Sequence, residues 1–171
     1  MNGKTAKELV EIFDLKSVND NYQQKYIFFT SVYDFEGGLP IGEYDLVCKV
    51  AELVGHDNLL VKKHPRDKRA IYDESNLNID NNSVVPWEAI QLAGDFSDKV
   101  YLTATSGSVM AGSFMAENPV KTYYLYPCCD ISENRSAMKT AMEIERILCD
   151  ENMKTVLSKV SIVNDIEEIL R

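Results

Sequence analysis

Tyr26-Ile27-Phe28-Phe29-Thr30-Ser31-Val32 is an unbroken β-branched and aromatic run, with the length of a strand buried on both faces. A loop over residues 33–40 follows, containing Gly37, Gly38 and Pro40. Residues 41–54 then place Leu46, Val47, Val50, Leu53 and Val54 on one helical face, and Gly55 stands where such a helix should stop. Leu59-Leu60-Val61 is a second apolar run. Strand, helix and strand in this order make a βαβ unit, whose right-handed crossover sets the strands parallel.

The alternation continues along the chain. Val84-Val85 reads as a third strand stopped by Pro86, followed by a helix over 87–92. A strand is expected over 100–103, a helix over 108–115, a strand over 121–126, a helix over 134–149 and a last helical stretch within 150–171. Upstream, Ala6, Leu9, Val10 and Phe13 give 5–15 helical spacing, while 18–24 is polar and reads as a loop. The expected class is α/β, a Rossmann-like parallel sheet with helices on both faces. Residues 1–25 form an N-terminal helix and connection, and 26–171 form one domain.

Composition narrows the function. With 27 Asp+Glu against 18 Lys+Arg, a formal net charge of -9 argues against a general nucleic-acid binder, which needs a broad basic surface. No apolar stretch approaches a membrane span, and Met1-Asn2-Gly3-Lys4 does not resemble a secretory signal, so a cytoplasmic protein is expected. Cys48, Cys128, Cys129 and Cys149 show no metal-binding spacing and read as reduced thiols; no metal is expected.

Against this acidic background, Lys62-Lys63-His64-Pro65-Arg66-Asp67-Lys68-Arg69 concentrates five cations at the end of the second strand. Such a concentration suits an anion, and a phosphate is the best small-molecule candidate. His64 can donate a hydrogen bond to it or pass it a proton. Pro65 fixes the backbone just beyond. Lys62 and His64 are the cations expected to act, with Lys63, Lys68 and Arg69 expected to be solvated.

Ligands in parallel sheets sit beyond the carboxyl ends of the strands, and that rule selects three further groups. Glu88, at a strand-to-helix junction, can accept both hydroxyls of a ribose. Thr105 and Ser106, before a small-residue helix, can cap it or cradle an anion. Asp34 and Glu36, beside Gly37 and Gly38, are both candidates for a general base.

These pieces together resemble a known family. The order of the Phe28-Phe29-Thr30 strand, the acidic glycine loop, Lys62-Lys63-His64-Pro65, Val85-Pro86-Trp87-Glu88 and Thr103-Ala104-Thr105-Ser106 is similar to the nucleotide-binding half of bacterial sialyltransferases. The likeness is to those that sialylate lipooligosaccharide and capsular glycans, and to polysialyltransferases. It implies one half of a GT-B fold and a glycosyltransferase that uses CMP-sialic acid as donor, inverts the anomeric carbon, and needs no metal or cofactor. On that reading His64 meets the CMP phosphate and assists its departure, and Thr105 and Ser106 hold phosphate oxygens. Lys62 and Pro65 line the nucleotide pocket, Glu88 binds the ribose, and Glu36, or else Asp34, is the base.

The resemblance further implies a sugar nucleotide and a glycan acceptor as partners, no nucleic acid, and a cytoplasmic enzyme that can sit peripherally at the inner face of the membrane. It leaves a homodimer open. Because a GT-B enzyme has two facing domains, the chain is expected to be a carboxyl-terminal fragment, with residues 1–24 ending an interdomain connection. Such a fragment is expected to bind CMP and turn over poorly, since closure between domains excludes water. Two alternatives stay open: another enzyme using a sugar nucleotide, or a non-catalytic domain that binds a nucleotide or another anion.

Overall fold

The computed structural model describes Glu8, residues 10–15, 18–35 and 39–80, Asn82, and residues 85–170. Six strands form one sheet: β1 Tyr26–Phe29, β2 Leu59–Lys62, β3 Asn78–Ile79, β4 Val100–Thr103, β5 Lys121–Tyr124 and β6 Val160–Ile162. Every pairing is parallel and the order is β3-β2-β1-β4-β5-β6. This is the Rossmann-like arrangement expected of the alternating pattern. The main helices are α1 Glu43–Val54, α2 Trp87–Ala93, α3 Ala111–Phe114 and α4 Arg135–Leu148.

The continuous apolar character of the central strands follows from burial on both faces. Successive residues of β1 serve opposite layers. Ile27 and Phe29 pack with Leu60, Tyr101 and Trp87, the last brought by α2, whereas Tyr26 and Phe28 pack with Leu102 and with Leu46, Val47 and Val50 of α1. Burial of each phenylalanine stabilises the fold by about 1.5–3 kcal/mol. In the first layer Trp87 meets Tyr22, Phe29, Phe96 and Tyr101 edge to face, with ring centroids 4.8–5.5 Å away. Tyr22 and Leu15 are buried in that same layer, so residues ahead of β1 share the core.

Two glycines are required by geometry. Gly55 ends α1 with φ +88°, a left-handed value that side chains rarely adopt. At Gly112 a Cβ would lie 2.7 Å from the Tyr101 ring and 3.0 Å from Val120, so its absence lets α3 close onto the sheet.

Some boundaries differ from those the sequence suggests. Instead of a strand at Val84-Val85, the edge strand is Asn78–Ile79; Val85 lies in a bend and Val84 is outside the described residues. The stretch after α4 contains strand β6 and a 3-10 turn, Ile166–Leu170, in place of a helix. Val18–Asn21 is one helical turn, and residues 107–114 divide into a 3-10 turn, Gly107–Met110, and α3. The strand expected to reach Tyr126 ends at Tyr124, before a 3-10 turn that contains Pro127. Of the opening helix, Glu8 and residues 10–12 are helical, while residues 1–7 and Leu9 are outside the described residues. Among the described residues no helix is long and apolar enough to cross a membrane.

Candidate functional site

From β1 the chain moves outward through β2 to β3, and from β4 it moves the opposite way through β5 to β6. The carboxyl ends of β1 and β4 therefore flank the point where the winding reverses, the crevice in which open parallel sheets bind ligands. A cavity of about 240 Å³ lies at this edge. Its walls come from Phe29 and Thr30 at the end of β1, Lys62 to Pro65 at the end of β2 and just past it, Glu88 of α2, and Ser106 and Ser108 after β4. The structure thus brings Lys62, His64, Pro65, Glu88 and Ser106 into one site.

His64 is fixed at both its backbone and its ring. Its amide donates to Thr30 Oγ1 at 2.8 Å, tying the His-Pro turn to the end of β1. The Arg66 amide donates to His64 Nδ1 at 3.2 Å. A ring nitrogen that accepts carries no proton, so the neutral imidazole has its N–H at Nε2.

Lys62 is 5% exposed, and its ammonium is held by a buried partner. Nζ lies 2.7 Å from Asp80 Oδ2 and donates to the Asn82 carbonyl at 2.5 Å. Tyr22 also donates to Asp80, at 3.2 Å. Burial lowers the Lys62 pKa, and Asp80, together with Glu88, opposes that shift. An ammonium has three donors, and among the described residues Asp80 and Asn82 take two of them. Glu88 is exposed and lines the same cavity.

The Ser106 turn is fixed by Thr103, the last residue of β4. Its fully buried hydroxyl donates to the Phe29 carbonyl and accepts from the Ser106 amide, both at 2.8 Å. One side chain thereby joins β1, β4 and the turn. Ser106 Oγ in turn accepts from the Ser108 amide at 3.4 Å. Thr105 does not line this cavity; Ser108 supplies the second hydroxyl, and Thr105 lies on the other side of the turn.

Asp34 is placed apart from the cavity. Its carboxylate accepts from the Ile41 amide at 2.8 Å and the Tyr44 amide at 3.4 Å, and it lies 3.8 Å from Arg69. These contacts secure the start of α1. Glu36 lies outside the described residues, as do Gly37 and Gly38.

The cations expected to be solvated divide. Lys68 is exposed. Lys63 is 8% exposed and pairs with Asp73 at 3.0 Å. Arg69 binds Asp67 through two nitrogens, at 3.0 and 2.8 Å, and stacks over Phe35 at 5.0 Å. Their charges are therefore organised within the protein. Asp67 is 4% exposed; burial raises its pKa, but hydrogen bonds from Arg69 outweigh this and hold it below the ordinary aspartate value.

Thr30, Thr103, Asp80 and Ser108 are the site residues that sequence reasoning missed. The two threonines read there as ordinary strand formers. Asp80 sits in a polar stretch without hydrophobic periodicity, and Ser108 stands where the sequence predicts the start of a helix. No family model, curated protein or solved structure matches the chain.

Proposed function

We propose that the cavity between the ends of β1 and β4 binds the phosphate of a sugar nucleotide, CMP-sialic acid. On this reading the chain is the nucleotide-binding part of an inverting, metal-independent sialyltransferase. The observation that carries it is the convergence of Lys62, His64, Glu88 and Ser106, scattered in sequence, into one cavity at the winding reversal. Its volume falls below the roughly 300–1,000 Å³ of typical small-molecule pockets, which suits one part of a sugar nucleotide.

The residues divide the work by chemistry. His64 Nε2–H and the hydroxyls of Ser106 and Ser108 are donors for phosphate oxygens, and Lys62 contributes its remaining ammonium proton. Donors held in place by Thr30, Thr103 and Asp80 reorganise little as charge develops on the phosphate. Glu88 accepts from the ribose hydroxyls. In the transfer step, the acceptor oxygen bonds to the anomeric carbon as the bond from that carbon to the phosphate oxygen breaks. CMP leaves with the electron pair, and the acceptor proton passes to a carboxylate. Since Asp34 is engaged by two amides and Arg69, Glu36 is the better candidate for that carboxylate.

The acceptor is a glycan, and the reading places the enzyme in the cytoplasm or at the inner membrane face. Calorimetry with CMP, UDP and GDP tests it. CMP should bind at least about tenfold more tightly than the others, and His64→Ala should weaken CMP by about tenfold or more, the value of a charge-assisted hydrogen bond. Equal affinity for all three nucleotides would favour another sugar-nucleotide enzyme. Binding of none would favour a non-catalytic anion site.

A further inference from the structure

The turn after β5 and the outer side of α4 enclose a groove of about 350 Å³. One wall is Tyr126, Pro127 and Ile131, and the other is Met138, Ala141 and Met142 of α4. The groove shares no residue with the cavity assigned to phosphate. We propose that it docks a cationic amphipathic helix of a partner protein, with apolar side chains of that helix in the groove and its lysines or arginines at the rim.

The form of the surface favours a helix. Met138 and Met142, 40% and 67% exposed, stand one turn apart on α4, and of the exposed large apolar side chains they are the pair that shares a helix. Side chains four residues apart make the kind of ridge against which a second helix packs. Ala141 beside them is small and buried, which leaves a depression next to the ridge. Methionine is unbranched and flexible, so the ridge can adapt to an apolar partner. An extended peptide gains no ladder here, because β5 is already paired on both edges, with β4 and β6.

The rim selects the charge of that helix. Asp130 and Glu145 line the groove, and among the described residues that line it there is no cation. Both carboxylates are exposed, and among the described residues neither forms an ion pair. Their hydrogen bonds come from neutral groups. The Ser132 amide and hydroxyl donate to Asp130 at 3.3 and 2.7 Å, and the Tyr126 hydroxyl donates to Glu145 at 2.7 Å. These bonds set the position of both carboxylates before a partner arrives and leave their charge uncompensated. On a chain of net charge -9 they favour the approach of a cationic partner and disfavour an anionic lipid surface.

Amide-resolved NMR on the full chain tests the proposal with two peptides of about sixteen residues, both made of leucine and lysine. One places its leucines along a single helical face, and the other spreads the same residues around the helix. The amphipathic peptide should shift the amides of Ile131, Ser132, Met138 and Met142, with a dissociation constant on the order of 100 μM in 50 mM salt, and the spread peptide should bind about tenfold more weakly. Met138→Gln with Met142→Gln, both at exposed helical positions, should weaken the first peptide about tenfold. Asp130→Asn with Glu145→Gln should weaken it about fivefold, whereas Glu74→Gln with Glu117→Gln, exposed and outside the groove, should change it by less than about twofold.

Equal affinity for both peptides, or equal losses in the two carboxylate pairs, would show general attraction to an acidic surface and overturn the proposal. So would unchanged affinity in the methionine variant. Concentration-dependent shifts of the same amides without peptide would give the groove to a second copy of the chain. Binding of phosphatidylglycerol vesicles that is lost in the methionine variant would give it to a membrane. Either result overturns the assignment to a partner helix.

Discussion

Replacing Thr103 with valine tests whether one hydroxyl sets the geometry of the proposed phosphate site. Valine has nearly the shape of threonine, so packing in the sheet is preserved while the bonds to the Phe29 carbonyl and the Ser106 amide are lost. Each hydrogen bond contributes about 0.5–1.5 kcal/mol net, so Thr103→Val should destabilise the fold by about 1–3 kcal/mol. For a chain of this size that corresponds to a Tm lower by about 2–12 °C. Released from Thr103, the Ser106 turn should present its hydroxyl less well, and CMP affinity should fall about tenfold, the equivalent of one charge-assisted contact. Calorimetry measures the affinity. Hydrogen exchange at the Ser106 amide supplies a ligand-free measure and should accelerate about tenfold. Thr103→Ser keeps the hydroxyl and should retain both properties. A Thr103→Val protein with a lower Tm but unchanged exchange and CMP affinity would refute the reasoning. So would a serine variant as impaired as the valine variant.

Other measurements probe the buried charges. Asp80→Asn removes the charge that compensates Lys62 and should cost about 3–5 kcal/mol in urea unfolding; a loss below 1 kcal/mol would mean that Lys62 reaches another partner or solvent. Glu43 is fully buried, and both of its carboxylate oxygens accept from the Ser31 amide, at 3.0 and 2.8 Å. Burial, opposed by the Ser31 bonds, raises its pKa from 4.5 to about 8. The folded chain therefore keeps this proton to higher pH than the unfolded chain. The associated stability is complete below about pH 4.5 and lost as pH rises to about 8, at up to about 1.4 kcal/mol per pH unit. Glu43→Gln should flatten that decline in denaturant titrations; an identical slope in parent and variant would place the titration elsewhere.

What the sequence revealed follows from the strength of the local signal. β4 and the helix capped by Asn134 stand close to their expected limits, because one is a continuous apolar strand and the other has strong periodicity behind a capping side chain. β3 has only two residues, one of them Asn, and β6 has three with Ser161 in the middle, so neither carries a readable pattern. They are strands because β2 and β5 offer open edges to pair with. The site was legible where charged groups stand at or just past a strand end, as at Lys62 and His64; Glu88 lines it from α2, although among the described residues the strand expected just before it is absent. Asp34 and Thr105 stand out in the sequence only by residue type and neighbourhood, which do not specify the direction of a side chain. In the structure one secures α1 and the other lies across the turn from the cavity.

The strand order also has a consequence for how the protein is assembled. β1 to β3 and β4 to β6 are two three-strand units, each continuous in the chain, and among the described strands their only direct pairing is β1 with β4. His64 belongs to one unit and Ser106 to the other. The cavity at the winding reversal therefore forms only when residues more than seventy positions apart, such as Phe29 and Thr103, have come into register. Forming such distant contacts carries a loop-closure cost that makes them slow relative to local ones. A chain in which both units are folded but that seam is open would hold every side chain of the site and still have no site.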